Sequence, residues 1–385
     1  MKYILVIDHI LTGGAERILI DYYHHLENNG HSPHIFCLTG TRDQSAWTKG
    51  LNITYGESRD EDNIVKKTIQ QINLYIKLQR LVNSIHPDVI FSFLEKSNLL
   101  TGLVRTKSVK KIMTVHNVLS IQYTKIKNPW IMRMTYSMIR NTYNRCSRVI
   151  AVSQQVKDDL VKSYGVKSAN IAIVNNYVDK ADISMKCSET IDDFIFESDK
   201  HYIMNIGRFS DQKAQWKLLK AFSVYLKRTK DNVNLVLIGD GDNKDMLVQL
   251  AKELRIDSHT HFLPFNVNPY KYMSHANLFV LSSIFEGFPI VLAEISSLRI
   301  PFVGSRRAVP QEMFSNQVTW ENSTYSTTYP DKDFSTNIHD DEYALAELFS
   351  KGIEDRHFTT KLLEATAAWE SSNSKLSQFE MYDII

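Results

Sequence analysis

LFVLSSIFEGFPIVLAEISSLRIPFVGS, residues 278–305, reads as a strand, a helix and a second strand in one pass. LFVLSS (278–283) and PFVGS (301–305) are apolar runs without alternation, as expected of strands buried on both faces of a parallel sheet. Between them a helix is expected from Pro289, a residue suited to a first helical turn, through IVLAEISSL, which is apolar nearly all round and therefore buried. Strand, helix and parallel strand form the repeating unit of a doubly wound sheet. The same alternation continues outward. Upstream stand HYIMNIGR (201–208), a helix at 216–229, NLVLIGDG (234–241), a helix at 244–255 and HFLPF (261–265). The first half carries KYILVID (2–8), HIFCL (34–38), DVIFSFL (88–94), KIMTVHN (111–117), RVIAVS (148–153) and IAIVNN (171–176). Helical stretches such as AERILIDYYHHLENNG (15–30) lie between them, with Gly30 as a stop signal. KADISMKCSETIDDFIFESDK (180–200) is polar and acidic, has no sustained period, and reads as a linker with one irregular element. Residues 305–341 are polar and carry no clear pattern, and helical patterns close the chain from 342. The expectation is an α/β protein of two doubly wound Rossmann-like domains facing a cleft. One covers 1–180 and is joined by a C-terminal helix at 366–385; the other covers 181–365.

Composition agrees with that division. A chain of 385 residues is too long for one ordinary core. With 43% hydrophobic and 23% charged residues it is globular rather than disordered. Cys37, Cys146 and Cys187 are far apart with no CxxC, which argues against a zinc site or a disulfide framework and for a reducing compartment. MKYILVIDHI is interrupted too soon by Asp8 and His9 for a signal peptide, and no apolar run approaches the roughly 18–20 residues that span a bilayer. A cytoplasmic location is expected. The net charge of +2 hides a division: residues 1–180 hold 24 Lys and Arg against 14 Asp and Glu, whereas the remainder holds 21 against 29. From Lys96 to Lys157 there are twelve basic residues and no acidic one. Within that run NPWIMRMTYSMIRNTYNR (128–145) mixes Trp130, Ile131, Met134, Tyr136 and Met138 with Arg133, Arg140 and Arg145. Such a helix can lie on an anionic membrane. It can equally be a core-facing helix with solvated arginines. A nucleic-acid surface is disfavoured, because no binding module accompanies the charge.

Open parallel sheets bind ligands outside the carboxyl ends of their strands, so the loops there carry the chemistry. The first loop is DHILTGGAER (8–17), where Gly13 and Gly14 precede a helix and let backbone amides approach an anion. A plain βα turn is the alternative, and the dinucleotide fingerprint G-x-G-x-x-G is absent. The fourth strand-like run ends in TVHN, which puts His116 at a strand's carboxyl end. The seventh ends in GRFSDQK, where Arg208 offers a planar fork of donors and Lys213 a point charge, together suited to a diphosphate or else simply solvated. In GDGD (239–242) the glycines suit a tight turn beside a nucleotide, ahead of a metal held by Asp240 and Asp242. In the opening stretch Glu286 falls at the mouth of a strand, Gly287 permits an unusual turn, and Glu294 lies inside an apolar helix. A buried carboxylate there needs donors. The two hydroxyls of a ribose would serve, or a basic neighbour such as Arg299 or Arg306.

Together these loops resemble the retaining glycosyltransferases of family 4, also called glycosyl transferases group 1. EGFPIVLAE (286–294) has the family's E-G-F-x-x-x-x-x-E form. GGAER, TVHN, RVIAVSQQVKDDL, NIGRF with QK at 212–213, LVLIGDG and NPYKYM stand in the expected order, so the resemblance spans nearly the whole chain. It implies a GT-B fold and hexosyl transfer from a nucleoside-diphosphate sugar, UDP-linked, with retention at the anomeric carbon and without a metal or other cofactor. It implies Glu286, His116, Arg208 and Lys213 as the catalytic set. Arg208 and Lys213 would meet the diphosphate, Glu294 the ribose, Glu286 and His116 the donor sugar. Gly13 and Gly14 would lie near the phosphate, with Gly287, Phe288, Pro289, Ile290 and Val291 lining the donor. The expected acceptor is lipid-linked or an oligosaccharide, in bacterial surface polysaccharide synthesis (lipopolysaccharide, O-antigen or capsule), at the inner face of the cytoplasmic membrane. Three departures bear on specificity: Ala214 follows Lys213 where the family favours Gly, FLPF (262–265) replaces FLGF, and NNYVD (175–179) replaces N-G-V-D. The rival readings are a nucleotide-sugar epimerase of the same architecture and a non-catalytic nucleotide-sugar-binding subunit.

Overall fold

The structure is a computed structural model that describes residues 1–10, 13–40, 48–56, 64–229, 232–310, 312–313, 319–320, 332–372 and 375–384. Its contacts divide the chain into two units: Met1–Asn175 with Phe379–Ile385, and Asn176–Gln378.

Unit 1 holds strands β1 (Lys2–Ile7), β2 (Ser32–Cys37), β3 (Ile53–Tyr55), β4 (Val89–Phe93), β5 (Lys110–Val115), β6 (Arg148–Ala151) and β7 (Ile171–Ile173). Its helices are α1 (Gly14–Asn28), α2 (Ile64–Ile85), α3 (Glu95–Leu103), α4 (Leu119–Gln122), α5 (Pro129–Arg145) and α6 (Gln154–Tyr164). The sheet order is β3-β2-β1-β4-β5-β6-β7 and every pairing is parallel. Ile4, Val6, Phe36 and Ile90 of the central strands are fully buried against Leu74, Leu78 and Val82 of α2. Central strands walled by helices on both faces have no polar side, which is why these runs do not alternate.

Unit 2 holds α7 (Lys180–Cys187), β8 (His201–Ile206), α8 (Gln215–Leu226), β9 (Val233–Ile238), α9 (Lys244–Glu253), β10 (Thr260–Leu263), α10 (Tyr270–Met273), β11 (Leu278–Leu281), α11 (Ile290–Ser297), β12 (Phe302–Ser305) and β13 (Thr319–Trp320). It continues with α12 (Asp340–Glu354), α13 (Arg356–Ser372) and the start of α14 (Lys375–Ile384). Its sheet, β10-β9-β8-β11-β12-β13, is also parallel throughout. The end of α14 belongs to unit 1, where Phe379 and Tyr382 pack on Tyr22 at 5.5 and 5.2 Å between ring centroids.

The expected strands are all present, and four details differ. β3 is a half-buried three-residue edge strand that the sequence pattern does not reveal, so TVHN ends the fifth strand and GRFSDQK follows the eighth. Residues 180–187, expected to be a linker, form helix α7, because the Asp179 carboxylate accepts from the amides of Ala181 and Asp182 and caps it. β13 lies within the polar stretch 305–341, of which 311, 314–318 and 321–331 are outside the described residues. Pro289 is the residue before α11 rather than its first turn, with an extended backbone (φ −73°, ψ 113°).

Candidate active site

In unit 2 the sheet order reverses between β8 and β11, and the loops that leave those two strands lie side by side. Four contacts join them. The Ile284 amide donates to the Gln212 carbonyl (2.8 Å) and Gln212 Nε2 to the Phe285 carbonyl (3.1 Å). Ser282 Oγ donates to the Lys213 carbonyl at 2.7 Å, and Lys213 Nζ lies 2.6 Å from Glu286 Oε1. Lys213 and Glu286, 73 residues apart, therefore form one ion pair at the strand ends, with Glu286 only 8% exposed. Arg208 is exposed at the end of β8, where its carbonyl receives Gln215 Nε2 at 3.1 Å.

The GDGD loop after β9 presses on the same segment. Gly239 and Gly241 have φ of 154° and 149°, and a Cβ on either would lie 2.1 Å from the Gly207 carbonyl oxygen or 2.5 Å from that of Phe209. Phe209 in turn donates its amide to the Asp240 carbonyl at 2.8 Å. The glycines are thus required for close backbone approach. Ala214, in place of the family's Gly, sits at φ 48° before α8, a left-handed conformation unfavourable to a residue with a Cβ.

Glu294 lies in α11, 8% exposed, and accepts the Tyr270 hydroxyl at 2.8 Å. Tyr270, 1% exposed and the third residue of NPYKYM, is a neighbour of Glu294 to which the sequence reading gives no role. Asn176, from the divergent NNYVD, donates Nδ2 to the Phe288 carbonyl at 2.9 Å and thereby holds the backbone two residues beyond Glu286. Gly287, Phe288, Pro289, Ile290 and Val291 connect Glu286 to the first turn of α11.

In unit 1 Gly13 caps α1 and Gly14 begins it. The Glu16 carboxylate folds back over this helix end, so that a Cβ on Gly13 would lie 2.3 Å from Oε2, and its other oxygen is 3.2 Å from His9 Nε2. A carboxylate already sits where the helix dipole favours an anion. Glu16 was present in GGAER but had no assigned part. His116 follows β5 and is half-buried, with its ring stacked 6.0 Å from Phe93. Thr114 Oγ1 donates to the Ser92 carbonyl (3.1 Å) and lies 2.9 Å from His116 Nε2. That hydroxyl oxygen therefore accepts Nε2–H, and Nδ1 is left as the ring's acceptor. Burial pushes His116 down to about 4, against the opposing pull of Glu16. The ring is thus neutral at physiological pH, able to hydrogen-bond a hydroxyl but not to supply positive charge. Stability from the neutral ring is fully present above the unfolded value of about 6.5 and is lost as pH falls towards 4. In an NMR titration, the His116 ring signals should stay constant from pH 8 to about 5.5, while an ordinary histidine moves near 6.5. Movement of His116 with the ordinary set contradicts this placement.

Two parallel-sheet units with these loops define the GT-B class of glycosyltransferases. The pattern described as Glycosyltransferase Family 4 matches residues 12–182, and that described as Glycosyl transferases group 1 matches residues 188–332. The chain belongs to glycosyltransferase family 4. It is 28% identical over 237 residues to the N-acetylgalactosamine-N,N'-diacetylbacillosaminyl-diphospho-undecaprenol 4-alpha-N-acetylgalactosaminyltransferase of Campylobacter jejuni, a match covering 62% of each protein, just under two thirds of that relative's length. It is 27% identical over 216 residues to the O-antigen chain mannosyltransferase RfbU of Salmonella typhimurium, covering 54% of this chain and 56% of that one. Among solved structures it resembles the Anabaena protein HepE in complex with UDP and glucose, with a TM-score of 0.74, 17% identity, and coverage of 100% of this chain and 98% of that one. At that identity the likeness is one of fold.

Proposed function

We propose that this chain transfers a hexosyl group, with retention and without a metal, from a UDP-linked sugar to a lipid-linked or oligosaccharide acceptor in bacterial surface polysaccharide synthesis. The observation that carries the reading is the Lys213–Glu286 pair at the switch point of unit 2, with Arg208 on the same loop. A cation paired with a carboxylate there suits a substrate with a diphosphate at one end and hydroxyls at the other. Arg208 and Lys213 meet the diphosphate and stabilise the charge that develops as it leaves. Glu286 takes hydroxyls of the donor sugar. Glu294, oriented by Tyr270, takes the ribose, while the backbone of 287–291 lines the donor. The relatives named above act on undecaprenyl-linked and O-antigen acceptors, which supports an acceptor of that kind.

The two glutamates should separate on the bare nucleotide. Titrated with UDP, Glu294→Ala should bind about tenfold or more weakly, the scale of one hydrogen bond to a charged group. Glu286→Ala should bind UDP normally and lose transfer from the UDP-sugar. The opposite assignment of effects would refute these roles. Incubation with donor alone separates the epimerase reading, since an epimerase changes the sugar without an acceptor.

The same reading includes docking on the inner face of the cytoplasmic membrane. Helix α5 buries Ile139 and Tyr143, but Trp130, Ile131, Met134 and Met138 are 75, 53, 64 and 43% exposed. They recur at helical spacing as one apolar stripe, flanked by the exposed Arg133, Arg140 and Arg145 in a run without acidic residues. A bilayer with anionic headgroups satisfies both the stripe and the charge. Among the described residues no helix is long and apolar enough to cross a membrane. Each basic residue near such a surface contributes roughly 1 kcal/mol, screened by salt. Co-sedimentation should therefore favour vesicles with anionic lipid, weaken with salt, and disappear in Arg133→Glu/Arg140→Glu/Arg145→Glu with nucleotide binding retained. Equal sedimentation with neutral and anionic vesicles, or none with either, rules it out.

A further inference from the structure

Each sheet reverses its strand order once. In unit 2 the reversal lies at β8 and β11, whose loops carry Arg208, Lys213 and Glu286. In unit 1 it lies at β1 and β4, and the side chains leaving those strands are Asp8 and Glu95. The donor chemistry above uses neither of them, although a reversal is where an open parallel sheet takes its ligand.

The local structure is built around these two carboxyls. β4 passes into α3 through Leu94 at φ 72° and ψ 161°, a backbone region almost confined to glycine. Glu95 is the first residue of α3, 6% exposed, and its Oε1 has no hydrogen-bond partner. Two residues on, Ser97 donates both its amide (2.7 Å) and its hydroxyl (2.6 Å) to Asp8 Oδ1, tying the end of β1 to the same helical turn. The neighbouring Ser92 and Asn98 are satisfied: Ser92 Oγ donates to Asn98 Oδ1 at 2.6 Å, and Asn98 Nδ2 donates to the Thr114 carbonyl at 2.8 Å and to the Tyr143 hydroxyl at 3.1 Å. Glu95 stands apart from that network. The titratable groups that face it are Asp8, Tyr123 after α4, and Tyr143 of α5, while Lys96 and His9 act on Asp8. Burial, then the charge of Asp8, pushes Glu95 up to about 7, and burial raises Asp8 as well. At neutral pH Glu95 therefore carries its proton in a large share of molecules, so it can donate a hydrogen bond beside the Asp8 acceptor.

Buried polar groups in folded proteins have partners, and a strained turn that points a carboxyl away from its partners is explained by a ligand. We infer that Asp8 and Glu95 bind vicinal hydroxyls of the acceptor glycan in unit 1. The inference rests on the proposed glycosyl transfer, since only a transferase needs a second sugar. A diol accepts from the protonated carboxyl and donates to the ionised one. Glu95, with its open oxygen, makes the direct contact, and Asp8, fixed by Ser97, completes the pair.

The same hydroxyl chemistry is present on the donor sugar, and the experiment separates the two sources. The protein is first screened by saturation-transfer NMR against UDP-glucose, UDP-galactose, UDP-N-acetylglucosamine, UDP-N-acetylgalactosamine and GDP-mannose. With UDP present, it is then screened against p-nitrophenyl α- and β-glycosides of the same sugars. Glu95→Ala should weaken glycoside binding by about ten- to a hundredfold and leave nucleotide-sugar affinity unchanged. Glu95→Gln, which keeps the shape and fold, should weaken it less. Deleting one of the bound hydroxyls from the glycoside should cost the wild type about tenfold and Glu95→Ala nothing. A structural role would lower stability without that dependence on the ligand's hydroxyl. A wild type that binds a nucleotide sugar but no glycoside overturns the inference. So does equal glycoside binding in Glu95→Ala or Glu95→Gln, or a loss confined to nucleotide-sugar affinity. A wild type that binds no nucleotide sugar refutes instead the function on which it rests.

Discussion

Alanine at Lys213 lowers turnover about 10²-fold or more, and alanine at Arg208 does the same, the scale of losing one preorganised donor to a developing charge. Lys213 has the larger reach because it does two things. Its ammonium lies 2.6 Å from Glu286 Oε1, and its carbonyl is held by Ser282 Oγ at 2.7 Å. Its stem rests on Gly207, where a Cβ would come within 3.6 Å of Cε. The charge is therefore placed before substrate arrives, and removing it also strips the buried Glu286 of its counter-ion. Losses at Lys213 and Glu286 should be non-additive: the double variant should fall little below the worse single one. Single-turnover rates with a UDP-sugar, alongside melting curves, measure this. Near-normal turnover in both Arg208→Ala and Lys213→Ala, with folding intact, removes both residues from the mechanism.

Alanine at Lys217 destabilises unit 2 by about 3–5 kcal/mol, the cost of leaving buried charges uncompensated. Lys217, on α8, lies 2.8 Å from Asp341 Oδ2 and 3.7 Å from Glu342 Oε1, both at the start of α12. All three side chains are at most 9% exposed. Glu342 also accepts the His339 amide at 2.8 Å and so closes the amino end of α12. Without the ammonium two carboxylates remain in the interior. The triple replacement Lys217→Met/Asp341→Leu/Glu342→Met should be far milder than the single one. Urea unfolding followed by tryptophan fluorescence gives both values. A midpoint unchanged in Lys217→Ala shows that the cluster is solvated. Because α8 starts beside Ala214, one residue after Lys213, the lost stability should also loosen the loop that carries Lys213.

The parallel sheets were legible because strands buried on both faces leave long apolar runs, and DVIFSFL or NLVLIGDG has no other easy reading. β3 escaped because ITY is short, half-buried and at an edge, so burial leaves no mark on its composition. α7 escaped because Ile183 is its one buried residue, so its apolar face has no period to detect. In the candidate site, the positions of Arg208, Lys213, Glu286 and Glu294 were legible as places after strands or inside an apolar helix. Tyr270, Asn176 and Glu16 were not, since each acts through a partner far away in sequence or folded back in space. Tyr270 meets Glu294 across 24 residues, and Asn176 meets Phe288 across 112. Glu95 was in plain view after DVIFSFL, but its open oxygen becomes visible only when the hydrogen bonds of Ser92, Ser97 and Asn98 are traced past it.

The close approach of Gly239 and Gly241 to the backbone of residues 207–209 has a consequence for redesign. The segments 207–213 and 239–243 touch through main-chain atoms, so neither can be exchanged alone for its counterpart from a related enzyme. A chimera that imports a new 207–213 loop must bring its matching GDGD turn, or the two backbones will collide or part. Altered donor preference in this scaffold should therefore be inherited in paired blocks, and libraries that vary the two segments together should yield soluble variants far more often than libraries that vary either one.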